Sequence, residues 1–163
     1  KLSFNHLKLF PEQVDLIFSD NDIPRRTALA QLNNQFEPAI VSAILPKIMK
    51  VLDDPQRVKD HVTAVQALSA MSRPLNSPAL WKTKKPEVVA RLQKILVEGD
   101  KSLLPWTINA LGDVGQNGSG ARISQVLDEK LTEQRREELQ SAAQDAEKLR
   151  MNRSGGFGGG GRF

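Results

Sequence analysis

Apolar residues recur every three or four positions along most of this chain, the spacing that lines one face of a helix. Ile44, Leu45, Ile48, Met49, Val51 and Leu52 make one such stripe, and Val58, Val62, Val65 and Leu68 make the next. Between them sits Asp53-Asp54-Pro55. That is a helix stop, an acidic N-cap and a proline suited to a first helical turn. The pattern predicts two helices joined by a tight turn, each with one apolar face. A lone hairpin cannot cover both faces, so it calls for neighbours of its own kind.

The rest of the chain supplies them. Residues 1–10 carry Leu2, Phe4, Leu7, Leu9 and Phe10 in a mixed pattern, read as an N-terminal arm, extended or partly helical. Pro11-Glu12 opens a helix with Val14, Ile17 and Phe18 as its stripe, and residues 19–24 end it. A partner helix follows with Ala28, Leu29, Leu32 and Phe36 facing in. Pro46 either kinks the helix after Pro38 or marks its true start. Beyond the central pair, Arg73-Pro74-Leu75-Asn76-Ser77-Pro78 begins a long break, functional or mobile at that length. A third pair has Val88, Val89, Leu92, Ile95 and Leu96, a turn at Glu98-Gly99-Asp100, then Leu103, Leu104, Ile108 and Leu111.

Arithmetic supports a repeat. The pair Ala-Leu recurs at Ala28-Leu29, Ala67-Leu68 and Ala110-Leu111, and an acidic turn precedes each. Units of about 40 residues with two helices and acidic inter-helix turns resemble HEAT repeats. The resemblance covers 11–115 and is strongest in Asp-Asn-Asp-Ile-Pro-Arg-Arg at 20–26, Asp-Asp-Pro-Gln-Arg-Val-Lys at 53–59 and Ala-Leu-Gly-Asp-Val-Gly at 110–115. The family's basic residue after the acidic turn is matched by Arg25 or Arg26 and by Arg57, while the third unit offers Lys101. The resemblance implies an all-α fold: an α-solenoid of three to four antiparallel helix pairs, with a C-terminal capping helix. Some HEAT-like proteins are bilin lyases or alkylpurine DNA glycosylases, but their functional residues are not carried onto this chain.

After Gly118-Ser119-Gly120 the pattern changes. Ile123, Val126, Leu127 and Leu131 continue an apolar face, and Thr132-Glu133 reads as a fresh N-cap with an acidic first turn. Leu139, Ala142, Ala143, Ala146 and Leu149 then form a narrow stripe amid charge, and over 122–153 the charges balance to zero. So polar a surface suits a terminal capping pair. One uninterrupted helix or a partner-seeking coiled coil fits the same pattern. The domain is therefore read as 11–153, followed by a flexible glycine-rich tail at 154–163.

Composition narrows the functional classes. Aromatics are 5% with no tyrosine, which argues against a β-sandwich or barrel. The absence of cysteine removes disulfides, thiolate metal sites and thiol nucleophiles without fixing a compartment. No apolar run reaches the roughly 20 residues of a membrane span. The chain is expected to be soluble, and because it starts at Lys1 a removed export signal is compatible with it.

Catalytic patterns fail on inspection. His6 and His61 stand far apart with no cysteines to complete a zinc site. Asp113-Val-Gly-Gln-Asn117-Gly118 hints at an EF-hand loop, but Gly115 and Ser124 occupy positions that need ligands. The glycines at 112, 115, 118 and 120 match no nucleotide-binding fingerprint and read as a helix stop and loop. No enzymatic activity, cofactor, metal or small-molecule substrate is expected.

Three features point to binding. Residues 72–95 carry Arg73, Lys82, Lys84, Lys85, Arg91 and Lys94 against one acid, Glu87. Trp81 stands in that stretch as an interface-type anchor, whereas Trp106 reads as core. The tail offers Phe157, Arg162 and Phe163. Trp81, Lys82, Lys84, Lys85, Phe157, Arg162 and Phe163 are the expected partner-binding residues. The expected function is a non-catalytic protein-binding scaffold or accessory subunit of a larger complex. The alternative is nucleic-acid binding by the basic 73–94 patch.

Overall fold

The turn chemistry places the helices. In the computed structural model every regular element among the described residues is helical. The structure describes residues 8–35, 37–115 and 131–158, with side chains as far as Asn152. Seven α-helices are described: α1 (Asp22–Asn33), α2 (Pro38–Asp53), α3 (His61–Ala70), α4 (Ser72–Leu75), α5 (Lys85–Glu98), α6 (Leu104–Gly115) and α7 (Glu133–Gly158). Short 3-10 helices at Pro11–Phe18, Pro55–Asp60 and Lys101–Leu103 lead into α1, α3 and α6.

The helix opened by Pro11 is a 3-10 helix, and its buried Val14 and Ile17 stand three residues apart, the period of that tighter helix. Asn21 caps α1 by accepting from the Ile23 amide. Asp22, Ile23 and Pro24, read above as part of the break, therefore already belong to α1; a proline there forfeits no helical hydrogen bond. α2 begins at Pro38 and runs through Pro46, which lies exposed in mid-helix and does not mark the start. The Asp54 side chain accepts from the Gln56 amide at 2.9 Å, and Pro55 takes the first turn, as the central motif predicts.

The core follows the repeated Ala-Leu pairs. Ala28, Ala67, Leu68, Ala110 and Leu111 are buried, and Leu29 packs partly buried against the same cluster. Phe36 lies outside the described residues. α3 is central: it packs on α1, α2, α6 and the Pro11–Phe18 helix. α5 packs on α6, and α6 packs on α7. Ser69 near the end of α3 donates to Asp113 near the end of α6 at 2.5 Å, so the C-terminal ends of these two helices meet.

α7 is one continuous helix from Glu133. Its cap is the predicted Thr132, whose hydroxyl accepts from the Arg135 amide at 3.1 Å. Asn109 donates to the Ala146 carbonyl, and Arg150 donates to Asp113 four residues further along each helix. α7 therefore runs in the same direction as α6 rather than doubling back on it. Ala142 and Ala146 are buried and Leu139 and Leu149 half-buried, but Ala143 faces solvent. The backbone of α7 continues through 154–158, into the stretch expected to be a flexible tail. Extending a formed helix adds one hydrogen bond per residue, set against about 1 kcal/mol for each glycine. Residues 121–130 and 159–163 lie outside the described residues.

Arginines make ion pairs within turns and also tie separate elements together. Arg25 and Arg26 both pair with Asp22 inside their own turn, and Arg57 pairs with Asp60. Other arginine contacts cross between elements. Arg57 stacks 4.9 Å from the Phe18 ring centre. Arg91 reaches back from α5 to Asp53 and the Leu52 carbonyl at the end of α2. Arg135 reaches from α7 to the Gly99 carbonyl after α5.

Asp100 caps the Lys101–Leu103 helix by accepting from the Ser102 amide at 2.8 Å. Hydrogen bonds from the Ser102 side chain and backbone hold its carboxyl below the usual 3.8. A lowered folded value means the carboxylate contributes stability above about pH 3.8, and that contribution fades as the pH falls through the folded value. Asp100→Asn keeps an accepting oxygen but does not titrate. Urea melts between about pH 5 and pH 2 should show a shallower acid limb for this variant.

Candidate partner-binding site

The break between α4 and α5 is neither open nor loosely held. Pro74 and Leu75 at the end of α4 are buried, and so is Leu80 within the break, which anchors the segment to the core. Its backbone is a run of tight turns, with Trp81 N–H donating to Ser77 O at 2.9 Å and Lys84 N–H to Leu80 O at 2.8 Å. Asn76 is the pin. Its side-chain amide donates to Ser72 O and across to Val114 O in α6, and its carbonyl accepts from Lys85 Nζ at 2.6 Å. Ser77 Oγ donates to Pro74 O at 2.6 Å.

On this platform the Trp81 side chain is 51% exposed. Burying Leu80 and holding the turns leaves the next residue no apolar place to go. The Lys82 ammonium lies 5.6 Å from the Trp81 ring centre, a cation–π arrangement that orients both side chains. Lys84 pairs with Glu87 at 3.6 Å, and Lys94 pairs with Glu98 at 3.7 Å. The structure therefore brings together four of the predicted residues, Trp81, Lys82, Lys84 and Lys85, but divides their tasks. Trp81 and Lys82 face outward, while Lys85 holds the platform together. Phe157 falls within the backbone of α7, beyond the described side chains, and Arg162 and Phe163 lie outside the described residues. Trp106 is half-buried against the core, as expected.

A second feature was not legible in the sequence. A cleft of about 240 Å³ lies between the Pro11–Phe18 helix and α2. Glu12 and Asp15 stand on one element and Lys47 and Lys50 on the other, with Val14, Phe18 and Val51 between them and Asp54 and Arg57 also lining it. Charges of both signs line it, and they come from separate elements, so no local motif announces it. His61 Nε2 donates to the Asp54 carbonyl at 3.0 Å. Among the described residues no three His, Cys, Asp or Glu side chains gather as a metal site, and no helix is long and apolar enough to cross a membrane.

In comparisons with known proteins, no family model matches the chain, and neither a characterised protein nor a solved structure is similar to it.

Proposed function

We propose that this chain is a HEAT-like helical-repeat scaffold without catalytic function, which holds a protein partner or serves as an accessory subunit of a larger complex. The observation that carries the reading is the succession of helix contacts. α1 packs on α3, α3 on α6 and α6 on α7, and along the first three the recurring Ala-Leu pairs are buried except for Leu29, which is partly buried against the same core. Small and branched residues at one register let helices approach closely, and repetition of that register builds an array. In this reading Pro11–Phe18, α2 and α5 are the outer members of the pairs, and α7 closes the end. The outer side of α7 suits that role, because Glu137, Gln140, Gln144, Asp145 and Lys148 are exposed there and offer little apolar area to a further repeat.

The nucleic-acid alternative rests on the basic stretch around Trp81. It stands second because Lys84, Arg91 and Lys94 are already paired with acids and Lys85 with Asn76. Sizing the chain in a native extract of its source tests the scaffold reading. A stable assembly well above 18.1 kDa that contains another protein is expected. A chain that always runs free at its own mass contradicts it.

A further inference from the structure

We infer that the Trp81–Lys82 corner docks an acidic segment of a partner protein that carries an apolar side chain. That side chain lies against the exposed ring of Trp81, and a flanking carboxylate meets Lys82. The inference rests on the scaffold reading and names the site and the chemistry of what it holds.

Three observations support it. First, the corner is preorganised: Leu75, Leu80 and the Asn76 hydrogen bonds fix the backbone beneath Trp81, so little ordering entropy remains to be lost on binding. Second, among the described residues Trp81 is the only exposed aromatic side chain. A half-exposed tryptophan on a rigid support is the kind of residue that dominates interface energies. Third, the stretch of chain that carries it has charge of one sign. No acid occurs from 72 to 86, and Lys82 makes no ion pair among the described residues. Complementary charge steers and orients a partner, and here the complement is acidic.

The same observations disfavour a nucleic-acid strand. Affinity for phosphates grows with the number of cations placed along the backbone, and strand binders set successive aromatic rings beneath successive bases. Here, among the described residues, a single exposed ring is accompanied by Lys82, while Lys85 is held by Asn76 and Lys84, Arg91 and Lys94 are shared with Glu87, Asp53 and Glu98. One ring and one or two ion pairs match a short acidic segment with one anchor.

The test uses the full chain and three fluorescein-labelled probes: a peptide of Glu and Asp around one central Phe, the same peptide with Lys for every acid, and oligothymidylate. Anisotropy at low salt is expected to show binding of the acidic peptide at least about tenfold tighter than the other two. Trp81→Ala should weaken that binding about tenfold or more, and Trp81→Phe should restore part of it. Lys82→Glu should weaken it as well, with thermal melts confirming that each variant stays folded. Preference for oligothymidylate overturns the inference, as does equal binding of the two peptides. So does indifference to Trp81→Ala, or no binding of the acidic peptide at low salt. The scaffold reading fails separately, through a chain that is free in its native extract. If the chain sits in an assembly and the peptide still does not bind, only this docking site is lost.

Discussion

Leu68→Ala is expected to lower the stability of this chain by about 3–4 kcal/mol, within the range of about 2–5 kcal/mol for a buried leucine. Leu68 is fully buried in α3, the helix that touches α1, α2 and α6 together. The cavity left behind would be walled by several helices at once, and no single one can move in to fill it. A domain of this size is commonly stable by only about 5–15 kcal/mol, so the loss is a large share of the total. Urea unfolding followed by circular dichroism should show a lower midpoint with an unchanged slope. Ile23→Ala is the control, because Ile23 is 75% exposed and its truncation should change stability by no more than about 0.5 kcal/mol. Equal effects at the two positions would mean that α3 is not the centre of the core.

The second large effect is expected at Gly99, which ends α5. Its backbone lies at φ −76° and ψ 170°, open to any residue, so the constraint is not a left-handed turn. The constraint is space. A Cβ there would stand 2.7 Å from the Ile95 carbonyl oxygen, 2.7 Å from its Cγ2 and 3.0 Å from its Cα. Two of those atoms are backbone of the final helical turn and cannot swing aside as a flexible side chain would. The Gly99 carbonyl is also the acceptor for Arg135, so a shift at the end of α5 pulls on the attachment of α7. Gly99→Ala is expected to cost about 1–3 kcal/mol, typical of overpacking against atoms that must move. Hydrogen exchange in the first turns of α7 should quicken in the variant more than exchange in α2 does. An unchanged melting temperature and exchange profile would contradict the close approach.

Much of the architecture was legible because local chemistry and packing agree. Asp54-Pro55 and Thr132 cap helices where the sequence puts them, since a side-chain oxygen there satisfies an amide that would otherwise lack a partner. The Ala-Leu pairs reached the core because a helical stripe has to be buried somewhere, and the register repeats. The tertiary links were not legible. Arg91 sits in a sequence-level basic cluster, yet its partners are Asp53 and the Leu52 carbonyl, almost forty residues upstream. Arg135 and Asn109 likewise meet backbone carbonyls, which carry no sequence signature. The 3-10 type of the first helix was not legible either, because a stripe at 14, 17 and 18 fits an α or a 3-10 period over so short a span.

The candidate site divides the same way. Trp81 stood out as a large apolar residue between prolines and lysines, and the structure leaves it half exposed. The sequence alone reads as a long break, functional or mobile, in which Lys82, Lys84 and Lys85 look interchangeable. The structure instead buries Leu80 and spends Lys85 on Asn76, and this turns the loop into a fixed support. A lysine that braces a turn and a lysine that greets a partner look identical in a sequence.

The most direct measurement is site-specific photocrosslinking in the native source, with a benzoyl-phenylalanine placed singly at 81, 23, 137 and 144. If the helical row is a scaffold that grips its partner beside Trp81, position 81 should yield one dominant crosslinked protein, whereas 137 and 144 on the outer side of α7 yield little. Silence at 81, or adducts concentrated on α7, would contradict it.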